Sequence, residues 1–482
     1  MPTSFTGSIA VTLQQGDIVI GSVANALAPA LNAGQITLTA SNGGVYIYGS
    51  GDVSNPANQI ATLDASGLNG QIALYGANGV VIGAGTRLTA AWVKDDPSNP
   101  NYGNGTSMLV QNGGTIKLGT TGTPDGSLNT TYGYENVSSS GAITVASNVT
   151  FDVSGGAGGT NISNTGGQVI LRAPILSDGT VNISFRGNVV DSSNGGKPGA
   201  GVVVNAYAVW STKDSPAELD KHFDGIIDPA GFYAPQADGT PIQVVFPTSP
   251  DGTASIYPIS TYDIPAAGAY TPHVNFYQNT LVGFVQGFSV RPRDSGSFGN
   301  VQNVHYRPEI ALINPNATIN GGNITVASNW NLGGVTTLAT ASQNAPLTNY
   351  QPAYRTSVGE PGVLTLQAIN NVVINATISD GFYESSSAFV TDPSTQADLV
   401  ANLIANNPAQ QPSTGIYEFN TTSAASLMAI VPGVNNGSFS YNFVAGAAIG
   451  SGVPPANPNA VIPLPDPTSV SNPRGSVIID GH

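Results

Sequence analysis

The stretch NGQIALYGANGVVIGAGTRLTA, residues 69–90, contains three short apolar runs separated only by Gly, Ala and Asn. Runs of about four or five residues bounded by such turn formers are typical of short β-strands. Because side chains alternate between the two faces of a strand, every second residue of each run faces the same way. The stretch therefore predicts three consecutive strands that share one inward apolar set. That set is Ile72, Leu74, Val80, Ile82 and Leu88.

A related unit recurs along the chain, with the pattern Gly-x-[Ile/Val/Leu]-x-[Leu/Val]. It starts at Gly34, Gly70, Gly114, Gly141, Gly167, Gly322 and Gly362. Within the two blocks of units, successive starts lie 26 to 44 residues apart. This spacing fits one or two turns of roughly 20 residues, a period typical of solenoids. In each unit the glycine is expected to supply the turn that precedes the strand.

The repeats predict an all-β fold, specifically a right-handed parallel β-helix (β-solenoid) with irregular inserts and one or two short helices. Each coil would hold three short strands that pair with the equivalent strands one coil along, about 4.8 Å away. An antiparallel meander is the alternative, because Asn78-Gly79 is a two-residue hairpin signal. The shortness of the runs and the repeated motif favour the parallel arrangement.

The amino-acid composition and net charge of the chain limit the kinds of molecule that it is expected to bind. Of 482 residues, 40% are hydrophobic, so a sizeable core can form, and only 9% are charged, against about 25% in an ordinary domain. The net charge of −15 disfavours nucleic acids and anionic membrane surfaces. The chain has no cysteine and no apolar run long enough to span a bilayer. Its first residues lack a signal-peptide pattern, so if the protein is exported, we expect this chain to be a mature region or an internal piece of a longer one.

Changes in the repeat pattern divide the chain into five parts. These are β-helix coils over 1–205, an aromatic-rich insert or subdomain over 206–308, coils again over 309–390, a helical or loop insert over 391–435, and a truncated β-helix continuation over 436–482. In the second insert, the spacing of apolar residues predicts a helix at 395–406. In the first, Ser215 and Glu218 form a capping-box pattern for a short helix that Asp224 and Gly225 end.

The first insert also holds the densest group of ionisable residues, namely Asp220, Lys221, His222, Asp224 and Asp228. Glycoside hydrolysis needs two facing carboxylates, and a polysaccharide lyase needs acidic residues beside a basic one, so such an enzyme is the alternative function. A capped, solvated helix explains the group without catalysis. His222 and His273 lack the Cys or spaced His partners of a zinc site. We therefore expect no catalytic residue, no metal and no cofactor.

Aromatic residues concentrate in the same insert and supply the candidates for binding. Loops on a rigid scaffold tolerate variation and often carry the binding surface. The tryptophans Trp92, Trp210 and Trp330 are expected to fill the core or its edges rather than to act as sugar platforms. Within the insert, Trp210, His222 and Tyr277 are the predicted contact residues.

Three ordered segments within residues 304–446 carry a family resemblance. They are VHYRPEIALINPNATINGGNITVASNWNLGG, VGEPGVLTLQAINNVVINATISDGFYE and GSFSYNFVAGA. Their pattern resembles that of filamentous haemagglutinin-type exoproteins, in a downstream part of such a protein. The matching positions are Arg307, Pro308 and Glu309, 327–332, 359–366, 379–382 and 438–446. The chain departs from the pattern in lacking a glycine between Pro308 and Glu309.

The resemblance implies a bacterial adhesin of the two-partner secretion class. Such a protein is exported through a dedicated outer-membrane transporter, which would act on an N-terminal region outside this chain. A secreted or outer-membrane-associated location follows, with host-cell receptors, glycans or other bacteria as partners. The expected function is a stiff structural stalk with a loop-borne contact surface, in cell adhesion and virulence.

Overall fold

The computed structural model shows a chain that is mostly β-strand. It describes residues 3–4, 7–21, 31–49, 60–92, 111–156, 164–192, 197–229, 233–235, 241–243, 273, 275–328, 330–332, 354–376, 378–380, 382–384, 428–430, 438–449, 454–461 and 475–479. The helix expected at 395–406 lies outside these residues. No helix in the described part of the chain is both long and apolar enough to cross a membrane.

The largest sheet has nine strands, and each is hydrogen-bonded in parallel to its neighbours. In order across the sheet they are β2 (Ser8–Leu13), β5 (Gln35–Ala40), β8 (Gln71–Gly76), β11 (Thr115–Gly119), β16 (Gln168–Pro174), β20 (Gly201–Ser211), β25 (Val304–Asn314), β28 (Val363–Ala368) and β33 (Ser440–Ala445). Strand order across the sheet follows chain order, so each return of the chain adds one strand beside the last.

Three further sheets are also parallel throughout. The six-stranded sheet contains β1 (Thr3–Ser4), β4 (Leu31–Asn32), β7 (Ile60–Asp64), β10 (Thr86–Thr89), β15 (Thr150–Asp152) and β19 (Asn188–Val190). The five-stranded sheet contains β3 (Ile18–Ile20), β6 (Gly44–Ile47), β9 (Gly79–Ile82), β14 (Ala142–Val145) and β18 (Ile183–Phe185). The four-stranded sheet contains β21 (Ile226–Ile227), β26 (Ile324–Val326), β29 (Val372–Ile374) and β34 (Val477–Ile479).

The remaining described elements are short strand pairs and helical turns outside these four sheets. Two small parallel pairs are β17 (Thr180–Val181) with β24 (Arg291–Pro292), and β27 (Trp330–Asn331) with β30 (Ile378–Ser379). Three antiparallel pairs are β12 (Gly122–Leu128) with β13 (Glu135–Ser140), β22 (Tyr233–Pro235) with β23 (Pro241–Gln243), and β31 (Phe382–Glu384) with β32 (Met428–Ile430). Helical turns are 3₁₀ at Leu219–Lys221 and Asn320–Gly322, and π at Phe276–Thr280, which continues into α1 (Leu281–Gln286).

The opening stretch forms three strands, as predicted. They are β8, β9 and β10, and each belongs to a different sheet. All five residues of the predicted inward set are fully buried. The prediction of an all-β chain is confirmed, and the antiparallel meander is wrong. Asn78-Gly79 connects β8 to β9, which do not pair with each other, because each strand finds its partner one return of the chain away.

The predicted period of roughly 20 residues is wrong. The chain returns to the nine-stranded sheet after 27 residues between Ser8 and its partner Gln35, but after 102 residues between Val202 and its partner Val304. The described residues between Ser211 and Val304 include β21 of the four-stranded sheet and β24, which pairs with β17. Because β20 continues to Ser211 and β25 begins at Val304, the longest excursion occupies 212–303 and lies inside the predicted boundaries of 206 and 308.

Three of the repeated glycines, Gly70, Gly114 and Gly167, lie where the chain packs too closely for a side chain. A Cβ added to Gly114 would lie 2.1 Å from the carbonyl oxygen of Gly70, and one added to Gly167 would lie 1.7 Å from that of Gly114. None of these three has a positive φ. At these three positions glycine is therefore required because successive corners of the chain stack too closely for a side chain. Gly322, another of the repeated glycines, has a φ of 75°, so there the turn itself needs a left-handed backbone.

The apolar interior runs along the inward faces of the sheets. Phe151, Phe185 and Phe298 come from successive returns of the chain and stack in it, with ring centroids 5.3 and 5.4 Å apart. The long excursion contributes to the same interior, since Phe284 of α1 is buried in one apolar cluster with Leu366 of β28. The part of the excursion that contains α1 is thus packed into the core.

Candidate functional site

The segment after β20 does not form the predicted capped helix. Only the 3₁₀ turn Leu219–Lys221 forms, and Glu218, at its N-terminus, makes no capping hydrogen bond. Glu218 instead pairs with Lys221 at 3.0 Å, and Lys221 Nζ also donates to the carbonyl oxygen of Thr130 at 2.7 Å. A helix this short has little stability of its own, so these tertiary contacts of Lys221 override the local capping signal.

Two of the predicted acidic residues meet a histidine in the interior of the excursion. His273 Nε2 lies 2.7 Å from Asp224 Oδ2, and its Nδ1 lies 3.4 Å from Asp228 Oδ2. All three side chains are buried. Burial lowers the pKa of His273, but the hydrogen bonds and charges of Asp224 and Asp228 outweigh it and raise that pKa to about 9. His273 is therefore a cation at neutral pH, held by two carboxylates.

Asp224 also stabilises a turn of the backbone. Its Oδ1 accepts a hydrogen bond from the backbone N–H of Ile226 at 3.0 Å, which fixes the turn that leads into β21. Gly225 between them has a φ of 88°, a left-handed conformation that favours glycine. Asp224 thus joins this turn to His273, which lies far along the chain on the other side of the excursion.

His222 lies beside this group but is not part of it. It is buried, and burial lowers its pKa, partly countered by the charge of Asp224. Its Nδ1 accepts no hydrogen bond from any residue that the structure describes. Asp220 stays apart, half-exposed, while its carbonyl oxygen accepts a hydrogen bond from Thr280 Oγ1 at 2.8 Å. The predicted ionisable group is therefore split between interior and surface.

A second group of ionisable residues gave no sequence signal. Lys213 Nζ lies 2.9 Å from Glu135 Oε1, and the backbone N–H of Ser211 donates to Asp214 Oδ2 at 3.2 Å. Burial raises the pKa of Glu135, and burial together with the charge of Glu135 raises the pKa of Asp214 to about 7. Glu135 comes from β13, so only the fold brings it to the turn that follows β20.

An aromatic layer packs around the two groups. Trp210 Nε1 donates to the carbonyl oxygen of Tyr132 at 2.8 Å, and its ring meets Phe284 edge-on at 5.2 Å. Tyr277 meets Trp330 edge-on at 5.1 Å, and Tyr277 OH donates to the carbonyl oxygen of Ile226 at 2.9 Å. These contacts connect α1 and the π turn to the strands beneath them.

The three predicted contact residues are all buried. Trp210 is 1% exposed, Tyr277 is 0% exposed and His222 is 9% exposed, so none offers its side chain to a partner in this structure. They pack the excursion onto the sheets, because aromatic rings next to a long apolar interior gain more from burial than from solvent contact. The prediction that the tryptophans fill the core is confirmed, since Trp92 and Trp330 are buried as well.

Asp224, Asp228 and His273 form a buried ion-paired group that connects two separate parts of the chain. Asp224 and Asp228 are both engaged by His273, so they do not face each other across a solvent-open gap, as a pair of hydrolytic carboxylates would. Within the described ranges, no group of three or more His, Asp and Glu side chains is arranged to hold a metal ion. A comparison with protein-family models, curated proteins and solved structures finds no match to this chain.

Proposed function

We propose that the chain is a segment of a filamentous haemagglutinin-type adhesin, built as a right-handed parallel β-helix and either secreted or displayed at the bacterial surface. The observation that supports this most is the register of the nine-stranded sheet. Val202 pairs with Val304 across an excursion of about a hundred residues, and the ladder continues without a break through Ser211 and Ile313. A scaffold that keeps its pairing across such an excursion suits a stalk that presents variable surface.

The stalk function follows from the way the sheet grows. Each further strand lengthens a parallel sheet by about 4.8 Å and needs only a short apolar run with small corner residues. Stability comes from neighbouring strands, so reach increases without a new core. An outer-membrane transporter of the two-partner secretion class is the proposed export partner, and host-cell receptors, glycans or other bacteria are the proposed contacts.

The proposal treats the Asp224, Asp228 and His273 group as an anchor and not as an active site. This group joins two separate parts of the long excursion, since Asp224 precedes β21 and His273 precedes the π turn. Locking an excursion in one conformation reduces the conformational entropy that a contact surface would lose on binding. The contact surface is then the exposed outside of the excursions and of the sheets.

The test separates adhesion from catalysis. Beads coated with the purified chain are measured for retention on epithelial and bacterial cells, and the soluble chain is incubated with plant and bacterial polysaccharides. We expect retention above that of albumin-coated beads and no new reducing ends or unsaturated products. Cleavage that is lost in Asp224→Asn but kept in Asp220→Asn would overturn the proposal in favour of an enzyme.

A further inference from the structure

The outer face of the nine-stranded sheet carries a buried row of aromatic and polar side chains. Arg172 Nη2 donates to Glu309 Oε1 at 2.8 Å and its Nε donates to Oε2 at 2.9 Å. The guanidinium also lies 4.1 Å from the ring centroid of Tyr207. Tyr75 joins the row from β8 and is 5% exposed. Because Arg172 and Glu309 neutralise each other, the row is polar and aromatic but has no net charge.

Residues 454–461, here called the cover segment, lie on this row. The carbonyl oxygen of Pro454 accepts a hydrogen bond from Thr121 Oγ1 at 2.6 Å, and that of Pro458 accepts one from Gln367 Nε2 at 2.7 Å. Ala456 packs against Tyr75. The cover segment is therefore held mainly through its backbone carbonyls, with Ala456 in an apolar contact.

The sheet curves around the cover segment. Asn457 Nδ2 donates to Thr39 Oγ1 in β5 at 3.3 Å, while the next residue, Pro458, is bound by Gln367 in β28. These two strands are six positions apart in the sheet. Adjacent residues of one segment can reach both only if the outer face is concave. The row thus lines a groove, here called the outer groove.

The cover segment accepts hydrogen bonds from donors that line the outer groove, but two acceptors of the groove receive no hydrogen bond from it. Asn205 Oδ1 and Gln367 Oε1 are buried and accept no hydrogen bond from any described residue. Three of the five residues at 454–458 are proline, which has no backbone N–H to donate. A buried acceptor without a donor costs free energy. An occupant with hydroxyl groups, which both donate and accept, would satisfy both halves of the groove.

We propose that the outer groove binds a strand of neutral polysaccharide and that the cover segment occupies the groove in its absence. This inference rests on the proposed function and names the ligand class for it. The aromatic faces of Tyr75 and Tyr207 suit the apolar faces of sugar rings, and the polar row suits their hydroxyls. The internally paired Arg172 and the net charge of −15 disfavour sulfated or carboxylated glycans.

The experiment uses the full chain and measures binding to soluble polysaccharides by isothermal titration calorimetry. The neutral probes are plant galactomannan, bacterial dextran and a high-mannose glycan from an animal glycoprotein, which distinguish the biological source. Heparin is the anionic probe. We expect at least one neutral probe to bind and heparin to fail. Heparin binding that is as tight as any neutral probe would overturn the inference.

Two variants test the groove and its cover separately. Asn205→Ala should weaken binding at least tenfold without lowering the melting temperature, since Asn205 Oδ1 accepts no hydrogen bond from a described residue and its burial costs free energy. Ala456→Glu should displace the cover segment and tighten binding at least tenfold. Pro454→Gly is the milder second variant if Ala456→Glu lowers the yield of folded protein. Asn300→Ala, exposed and outside the groove, is the matched control.

The outcomes separate this inference from the proposed function. Equal affinity of Asn205→Ala and wild type, or no neutral probe bound by either cover variant, overturns the groove assignment. If cell retention persists in that case, the adhesin proposal stands without the groove. If beads coated with the wild-type chain are also retained no better than albumin-coated beads, the groove assignment and the adhesin proposal both fail. Retention that falls in Asn205→Ala in step with glycan affinity supports both together.

Discussion

Buried charge in this molecule is concentrated at a few side chains that join distant parts of the chain. His273 is one of them, and the hydrogen bonds and charges of Asp224 and Asp228 raise the pKa of its imidazole to about 9. Arg172 and Glu309 are another pair, fully paired in the outer face of the main sheet. Breaking such a pair from one side leaves an unpaired buried charge, which is costlier than never having had it.

The His273 group predicts a loss of stability at high pH. A histidine whose folded pKa is raised above its usual value of about 6.5 contributes stability below that value, and the contribution is lost as pH rises through about 9. Hydrogen exchange of the π turn and α1 should therefore accelerate between pH 7 and 10 relative to β8. Asp224→Asn should show fast exchange already at pH 7. The same profile in Asp220→Asn and Asp224→Asn would contradict this assignment.

Asp214 predicts a stabilising substitution. Its pKa is raised to about 7, so its contribution to stability is full below its ordinary value of 3.8 and is lost as pH rises through about 7. Asn keeps an oxygen that accepts from the N–H of Ser211 but carries no charge beside Glu135. Asp214→Asn should raise the melting temperature at pH 8 and change it little at pH 4. A decrease at pH 8 would show that the charge is stabilising.

At the scale of the strand, the inward face and the corners between strands accept different residue types. The inward face is apolar along β5, β8 and β11, where Ile36 is paired with Ile72 and Ile72 with Ile116. The corners between strands demand small size, as the stack of Gly70, Gly114 and Gly167 shows. Sequence change is therefore constrained by position within the strand and its corner more than by position along the chain.

Inward and outward positions should differ sharply in their tolerance of charge. Ile72→Asp and Leu364→Asp place a carboxylate in the closed apolar interior, where both residues are 0% exposed, and should each cost about 4 kcal/mol or more of unfolding free energy. Thr37→Asp lies on the other face of β5, half-buried, and should cost less than about 1 kcal/mol. Denaturant unfolding measures all three. Equal losses would count against the inward set.

The corner glycines give a test of close stacking. Gly114→Ala places a methyl group within 2.1 Å of the carbonyl oxygen of Gly70 and should destabilise the chain by about 2 kcal/mol or more as the corners separate. Gly7→Ala is the matched control, because nothing lies within 4 Å of its added Cβ and its φ is ordinary. Circular dichroism melts of both variants decide the matter. A similar loss in both would point to chain entropy.

The strands were predictable from sequence where apolar residues alternate regularly with small or polar ones. Ile72 and Leu74 alternate with small or polar residues, and their strand forms as expected. Identical motifs were less informative about place, because Gly114 opens a strand of the nine-stranded sheet while Gly141 opens β14 in another. The Glu135 and Lys213 pair was unpredictable, since only the stacking of distant segments brings the two together. The predicted helix at Ser215 failed because tertiary contacts outweighed a local signal.

At the scale of the whole molecule, the described part of the long excursion that contains α1 packs against the sheets. Phe284 of α1 contacts Trp210 of β20 and Tyr134 edge-on, so the excursion closes over the interior instead of hanging from it. Removing the excursion would therefore expose an apolar surface, and a simple deletion would not leave the sheets undisturbed.

This packing predicts that α1 contributes to global stability. Phe284→Ala leaves a cavity among aromatic rings and should lower the unfolding free energy by about 3 to 5 kcal/mol. Leu219→Ala, in the same excursion but 43% exposed, should change it by about 0.5 kcal/mol or less. Chemical denaturation followed by tryptophan fluorescence reports both. A small effect of Phe284→Ala on the main transition would mean that the excursion unfolds by itself.

The unequal distances between paired strands also bear on how such a chain changes over evolutionary time. The step from Ser8 to Gln35 and the step from Val202 to Val304 close on the same ladder, although one is nearly four times as long as the other. Insertion or loss of residues at a corner thus leaves the alignment of every strand intact. Length variation and new surface chemistry can be acquired at corners by recombination, one corner at a time, while the strand pairing stays constant.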